Sequence, residues 1–247
     1  MINEPVCIVS DDFQHAWLEV VRKLSVSHWE IRNLVVQVKD PSALDVAFHK
    51  KVEAFAKAQD LLGPKHVAYT LFPQGLYRHS GKPDTLFEAY NKAGGLFEKL
   101  QRRKPGWGTY FRRMTNYGGA KGEVINQLGN IITAIRKRDN LSRAAYTIVI
   151  QKPGGETVRP LGAPCLNYIA VQAEHGEAGQ PFTLGLLAVY RNHDFLERAY
   201  GNYWGLCNLL LFLAKEVGGT PGPLTCVSSH AYVEAKKMAC MHLVERF

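Results

Sequence analysis

The sequence predicts a chain that mixes helices with a β-sheet. Three observations carry that reading: apolar residues at helical spacing in several separate stretches, β-rich runs between them, and two strand-like runs placed to form an antiparallel hairpin. With 247 residues, 46% of them hydrophobic, the chain can build one large core or two small ones. No linker-like stretch or internal repeat divides it, so a single domain over 1–247 is preferred to two.

From the N-terminus, DFQHAWLEVVRKL at 12–24 sets Phe13, Trp17, Val20, Val21 and Leu24 at helical spacing, and IRNLVVQV at 31–38 reads as a strand. Pro41, Ser42 and Asp45 suit the start of a second helix running to Leu62, where Gly63-Pro64 is expected to stop it. HVAYTLFP at 66–73 has the composition of a strand. Between 74 and 122, glycine, proline, arginine and aromatics crowd together, which predicts an insertion-rich, loop-containing region with one helix over 83–102. Ile125, Leu128, Ile131, Ile132 and Ile135 then mark an amphipathic helix whose basic end, Arg136-Lys137-Arg138, suits a helix C-terminus. AAYTIVIQ at 144–151 reads as a buried strand closed by Pro153-Gly154-Gly155.

Composition narrows the function classes. Lys plus Arg number 30 against 22 Asp plus Glu, a net charge of +8, which favours anionic partners such as nucleotides or nucleic acid. The five cysteines include no C-x-x-C pair and no metal-ligand spacing, so neither a disulfide framework nor a metal site is expected, and a reducing cytoplasm fits. The opening MINEPVCIVSDD lacks a basic leader with an apolar stretch, and the longest strongly apolar run, 209–214, is too short to span a bilayer. The expectation is a soluble, unprocessed protein.

The chemistry concentrates in the last third. LGAPCLNYIAVQ (161–172) and PFTLGLLAVYRN (181–192) flank the turn-rich AEHGEAGQ. A turn centred near Glu177 and Ala178 places Cys165 nearly opposite Tyr190 and Arg191. Alone, Cys165 reads as a small buried hydrophobe. A guanidinium across the hairpin favours the thiolate and turns it into a candidate nucleophile. Tyr203 to Val217 is apolar nearly all round and reads as a buried helix ended by Gly218-Gly219; Asn202 opens it, either as an N-cap or as an amide offered to a base edge. His230 and Tyr232, two apart on a strand, share a face.

Together these segments resemble thymidylate synthase. PCL at 164–166 stands where that family has P-C-H, YRNHDFLERAYGNYWGLCNLL resembles its Y-Q-R-S-x-D followed eight residues on by Asn, and EVGGTPGPLTCVSSHAY parallels its G-x-x-P-G and H-x-Y segments. NLSRAAYTIVI is similar to the segment that supplies phosphate-binding arginines from a partner subunit, and Tyr117-Gly118 to an active-site Tyr-Gly. The resemblance implies an α+β fold, a mainly antiparallel or mixed sheet packed with helices and dimeric through the sheet. It implies that Cys165 adds to C6 of a pyrimidine nucleoside monophosphate, that Arg191 and the partner's copy of Arg143 hold the phosphate, and that Asn192 stands in the phosphate-binding serine's place. Asn202 would read a uracil edge, His230 and Tyr232 the sugar hydroxyl, Tyr117 would lie at the catalytic centre, and Asp194 would face 5,10-methylenetetrahydrofolate, the donor of a methyl or hydroxymethyl carbon. Leu166, Asn192 and Arg198 depart from the family's histidine, serine and glycine, and Glu88 is a distant candidate for its proton-relay acid.

A reading from another class rests on QRRKPGWGTYFRR (101–113), where basic residues interleave with Trp107, Tyr110 and Phe111 as in a nucleic-acid surface; the solvated basic loop is favoured over it.

Overall fold

The computed structural model describes residues 4–100, 107–118, 122–137, 146–159, 162–175 and 181–247, without the side chains of 95–100. The chain opens with strand β1 (Val6–Ser10), helix α1 (Phe13–Ser25) and strand β2 (Glu30–Val38). Four helices follow, α2 (Val46–Ala58), α3 (Pro64–Leu71), α4 (Gln74–Ser80) and α5 (Pro83–Leu100), and after them α6 (Tyr110–Thr115). The short strands β3 (Tyr117–Gly118) and β4 (Val124–Ile125) pair with each other ahead of α7 (Gln127–Arg136). The second half comprises β5 (Tyr146–Val149), β6 (Leu166–Glu174), β7 (Thr183–Tyr190), β8 (His193–Asp194), α8 (Ala199–Val217), β9 (Thr220–Tyr232) and α9 (Lys237–Val244).

The main sheet has the order β1-β2-β9-β7-β6-β5, with β8 laid against β9. It is mixed: β2/β9, β6/β7 and β5/β6 are antiparallel, whereas β1/β2, β7/β9 and β8/β9 are parallel. Period-2 alternation sorts its side chains onto two faces. Ile8, Val36, Cys226, Ala188 and Ile169 lie in register on one face, fully buried beneath α1 and α8. On the other, Val9, Val35, Val227, Leu187 and Tyr168 each keep part of their surface exposed.

Local chemistry explains the first helices. Asp12 caps α1 by accepting from the amides of Gln14 and His15 at 2.8 and 2.9 Å, and the expected stripe of Phe13, Trp17, Val20, Val21 and Leu24 is buried. Asp45 caps α2 in the same way. That helix ends at Ala58, short of the expected Leu62.

The segment 66–73 is helical, which corrects the strand expectation. Pro64 sits in the first turn of α3, where its missing N–H and fixed φ do no harm, so Gly63-Pro64 starts a helix instead of ending one. Tertiary packing then overrides the β-rich composition: Gly201 and Gly205 of α8 let α3 approach so closely that an added Cβ at Gly201 would lie 2.5 Å from Val67 Cβ and 2.8 Å from Pro64 O. The region 74–122 is likewise more helical than expected, because α4, α5 and α6 present Tyr77, Leu86, Tyr90 and Phe111 to the core. The expected helix near 125 begins only at Gln127, after Asn126 accepts from Gly129 N, and Val124-Ile125 is strand. Strand β1 is an addition to the expected helix-then-strand opening. Arg138 and the hairpin turn 176–180 lie outside the described residues, among which no helix is long and apolar enough to cross a membrane.

Candidate active site

Strands β6 and β7 pair with Leu166 opposite Tyr190, and the Arg191 amide donates to the Cys165 carbonyl at 2.9 Å. A register irregularity between Leu166 and Tyr168 disturbs the ladder beside the cysteine. The turn-counting expectation that Cys165 and Arg191 are neighbours across the hairpin describes this pairing.

The Cys165 thiol opens into a cleft of about 490 Å³, large enough for a nucleotide. Burial raises its pKa above the ordinary thiol value; Arg191 and then Arg198 oppose that, and Asp194 adds to it. Burial wins, so the resting group is the thiol. Among the described residues neither guanidinium is tied to a carboxylate in an ion pair, and Arg191 Nε is buried without a hydrogen-bond partner. Of the two, Arg198 lines the cleft, where a cation suits an anionic ligand, and Arg191 is not among the lining residues.

Asn202 lies in the first turn of α8, not at its cap; the capping position belongs to Arg198, which makes no side-chain cap bond. The N-cap alternative for Asn202 is therefore corrected. Its amide nitrogen lies 3.1 Å from His193 Nε2, and His193 Nδ1 lies 3.0 Å from Ser228 Oγ. Asn202 lines the cleft while being only 4% exposed. Burial drives the His193 pKa down to about 3, so the ring is neutral.

Asp194 lines the cleft and accepts from the amides of Leu196 and Glu197 at 2.9 and 3.0 Å, fixing the turn that feeds α8. Burial raises its pKa, and those two amides pull it back. His230 and Tyr232 share a face of β9 with rings stacked 5.2 Å apart; Tyr232 reaches the cleft, and His230 Nδ1 donates to Asn192 Oδ1 at 2.8 Å. Asn192 is a cleft residue, so His230 meets the cleft through it.

Tyr117 stands apart from this group. It lines a neighbouring recess of about 210 Å³ that shares Trp107 and Gly108 with the cleft. Glu88 is exposed on α5 and is not a cleft residue. Arg143 lies outside the described residues, as do 101–106 of the basic stretch. The described part of that stretch is engaged internally. Tyr110 and Phe111 are buried, Trp107 packs against Tyr110 at 4.8 Å, and Arg113 makes a two-pronged bond to Glu156 at 2.6 and 2.8 Å.

The cleft also gathers residues that sequence reading did not assign to it: Val67 and Thr70 from α3, Thr109, His193, Glu197 and Arg198, and also Tyr110, which was read only within the basic stretch. Only Arg198 had a visible signal, as a charge where the resembled family has glycine. Reading 66–73 as a strand hid Val67 and Thr70.

Over 125 residues, 51% of its length, the chain is 28% identical to a protein of Methanosarcina mazei named "Putative thymidylate synthase", and 26% and 28% identical to proteins of the same name in Methanosarcina barkeri and Methanosarcina acetivorans. The chain spans about half the length of these curated relatives, 52% in each case. No established family profile matches it. The likeness is distant and points to a thymidylate-synthase-like class.

Proposed function

We propose that this protein binds a pyrimidine nucleoside monophosphate, with uracil as the favoured base, and transfers a one-carbon unit to C5 through an adduct of Cys165 at C6. The observation that carries the reading is a cleft that Cys165, Arg198 and Asn202 line together, with Arg191 held across the hairpin from the cysteine. The distant relatives, similar over half their length, support the same class.

In this reading Arg191, aided by Arg198, takes up negative charge and offsets the burial that keeps the thiol protonated. The thiolate adds to C6 and pushes electron density to C5 and O4, which makes C5 nucleophilic. A one-carbon electrophile bonds to C5, the C5 proton leaves, and expulsion of the thiolate restores the ring. Asn192, with His230 behind it, and Tyr232 would hold the phosphate and sugar end, and Arg143 of a second copy would add a further cation.

The cleft offers a fit for 5,10-methylenetetrahydrofolate. Asp194 spends only one carboxylate oxygen on backbone amides, and Trp107 contributes a ring to the wall. These two residues would hold the pterin, and the bound group would supply a methylene carbon together with the hydride for a methyl product, water taking the hydride's place for a hydroxymethyl product. Assembly as a homodimer through the apolar face left open by β2, β9, β7 and β6 accompanies this reading, as does a reducing cytoplasm suited to five free cysteines.

The test is release of tritium from a C5-labelled uridine or deoxyuridine monophosphate. Folate-dependent release by the native protein and none by Cys165→Ala supports the proposal. Equal behaviour of the two proteins overturns it, and Cys165-dependent release without folate replaces one-carbon transfer with C5 exchange.

A further inference from the structure

Behind the Asn202 amide lies a chain of polar groups that the one-carbon reading does not use. His193, on β8, is 1% exposed, and its ring lies flat on Tyr190 at 4.1 Å with an interplanar angle of 5°. Phe195 and Tyr203 close its other sides at 5.0 and 5.7 Å. Its two nitrogens have one partner each: Nδ1 faces Ser228 Oγ at 3.0 Å, and Nε2 faces Asn202 Nδ2 at 3.1 Å. Ser228 is 0% exposed.

A neutral imidazole carries one N–H, so the two ends of the chain are coupled. With the Asn202 N–H facing Nε2, the single ring proton sits on Nδ1, and Ser228 Oγ accepts it. Nε2 is then bare and accepts one N–H of Asn202. The amide is thereby fixed: it presents Oδ1 and its remaining N–H to the cleft and cannot turn over without setting its carbonyl oxygen against a lone pair. This matters because uracil and cytosine present opposite orders of donor and acceptor at N3 and C4. An amide free to turn over reads both bases, and a locked one reads only one.

We propose that His193 determines which pyrimidine this cleft accepts, by holding the Asn202 amide in the single orientation in which Oδ1 meets the N3–H of uracil and Nδ2 meets O4. In that orientation cytosine sets lone pair against lone pair at N3 and N–H against N–H at C4. His193 acts through Asn202 and is a positioning residue, and Ser228 accepts its N–H. The inference rests on the nucleotide reading of the cleft.

The experiment measures binding of uridine and cytidine monophosphates, in ribo and deoxyribo forms, to the native protein, to His193→Phe and to Ser228→Ala. Phenylalanine keeps the stack on Tyr190 and loses both hydrogen bonds. The native protein should prefer the uracil nucleotide by on the order of 100-fold or more, as sites built to hydrogen-bond a substrate N–H do. In His193→Phe the preference should fall to within about threefold, mainly through gained affinity for cytidine nucleotides, an effect that mere loosening of the fold does not produce. Ser228→Ala should give an intermediate ratio. Nitrogen-15 spectra of the ligand-free native protein should show His193 protonated at Nδ1 and bare at Nε2, which keeps the proposal testable if the phenylalanine variant fails to fold. A full uracil preference retained by both variants, a native preference for cytosine, or a proton on Nε2 overturns the inference while leaving the nucleotide reading intact. A native protein that binds none of these nucleotides overturns both.

Discussion

Replacing Gly201 by alanine tests whether the α3–α8 contact shapes the cleft. The added Cβ would stand 2.5 Å from Val67 Cβ, 2.8 Å from Pro64 O and 2.9 Å from Val67 Cγ1. One of these is a backbone atom, so the helices must part. Alanine gains about 1 kcal/mol in a helix over glycine, and overpacking of this kind costs about 1–3 kcal/mol. The net expectation is a loss of up to about 2 kcal/mol, a fall in Tm of about 2–4 °C per kcal/mol for a chain of this size. Gly75 of α4 supplies the control, since a Cβ there meets nothing within 4 Å and its φ is not positive. Gly75→Ala should be neutral or stabilising by up to about 1 kcal/mol. The urea unfolding midpoint of Gly201→Ala should lie below that of Gly75→Ala, and Gly201→Ala should also weaken nucleotide binding because Val67 and Thr70 line the cleft. A Gly201→Ala protein more stable than the native one, which would leave the helix gain unopposed, would refute the packing argument.

Other consequences follow from the site. Cys165→Ala should abolish C5 tritium release yet still be stabilised by nucleotide in a thermal-shift assay, because the thiol makes the bond and the cations hold the ligand. Removing a cation that opposes burial raises the thiol pKa further, so Arg191→Met should shift the pH profile of Cys165 alkylation to higher pH; an unchanged profile would contradict the pairing. His193 has a folded pKa of about 3, below its unfolded value, so it contributes stability that is fully present above about pH 6.5 and is lost as pH falls toward 3. Within that window it adds a slope of about 1.4 kcal/mol per pH unit, which His193→Phe should remove from the pH dependence of unfolding.

What the sequence revealed depended on how local the cause was. The hairpin of β6 and β7 was legible because two β-rich runs and a short turn fix a register, and the register brings Cys165 to Arg191. Helix α1 was legible from its cap and stripe. Helix α3 was not, since its β-rich composition is overruled by a close contact with glycines some 130 residues later in the chain. His193 carried no signal at all: its meaning depends on β8 lying beside β9, which brings Ser228 to one nitrogen while Asn202, a turn into α8, meets the other. Tyr117 was placed at the catalytic centre by resemblance, whereas the chain path sets it in the adjoining recess.

The most direct test of the account is a structure of the complex with deoxyuridine monophosphate. Cys165 Sγ should stand about 3–3.5 Å from C6, as a near-attack geometry requires, with the phosphate on Arg191 and the N3–O4 edge on Asn202. A nucleotide seated away from this thiol, or with its ring turned so that C6 faces another wall of the cleft, would contradict it.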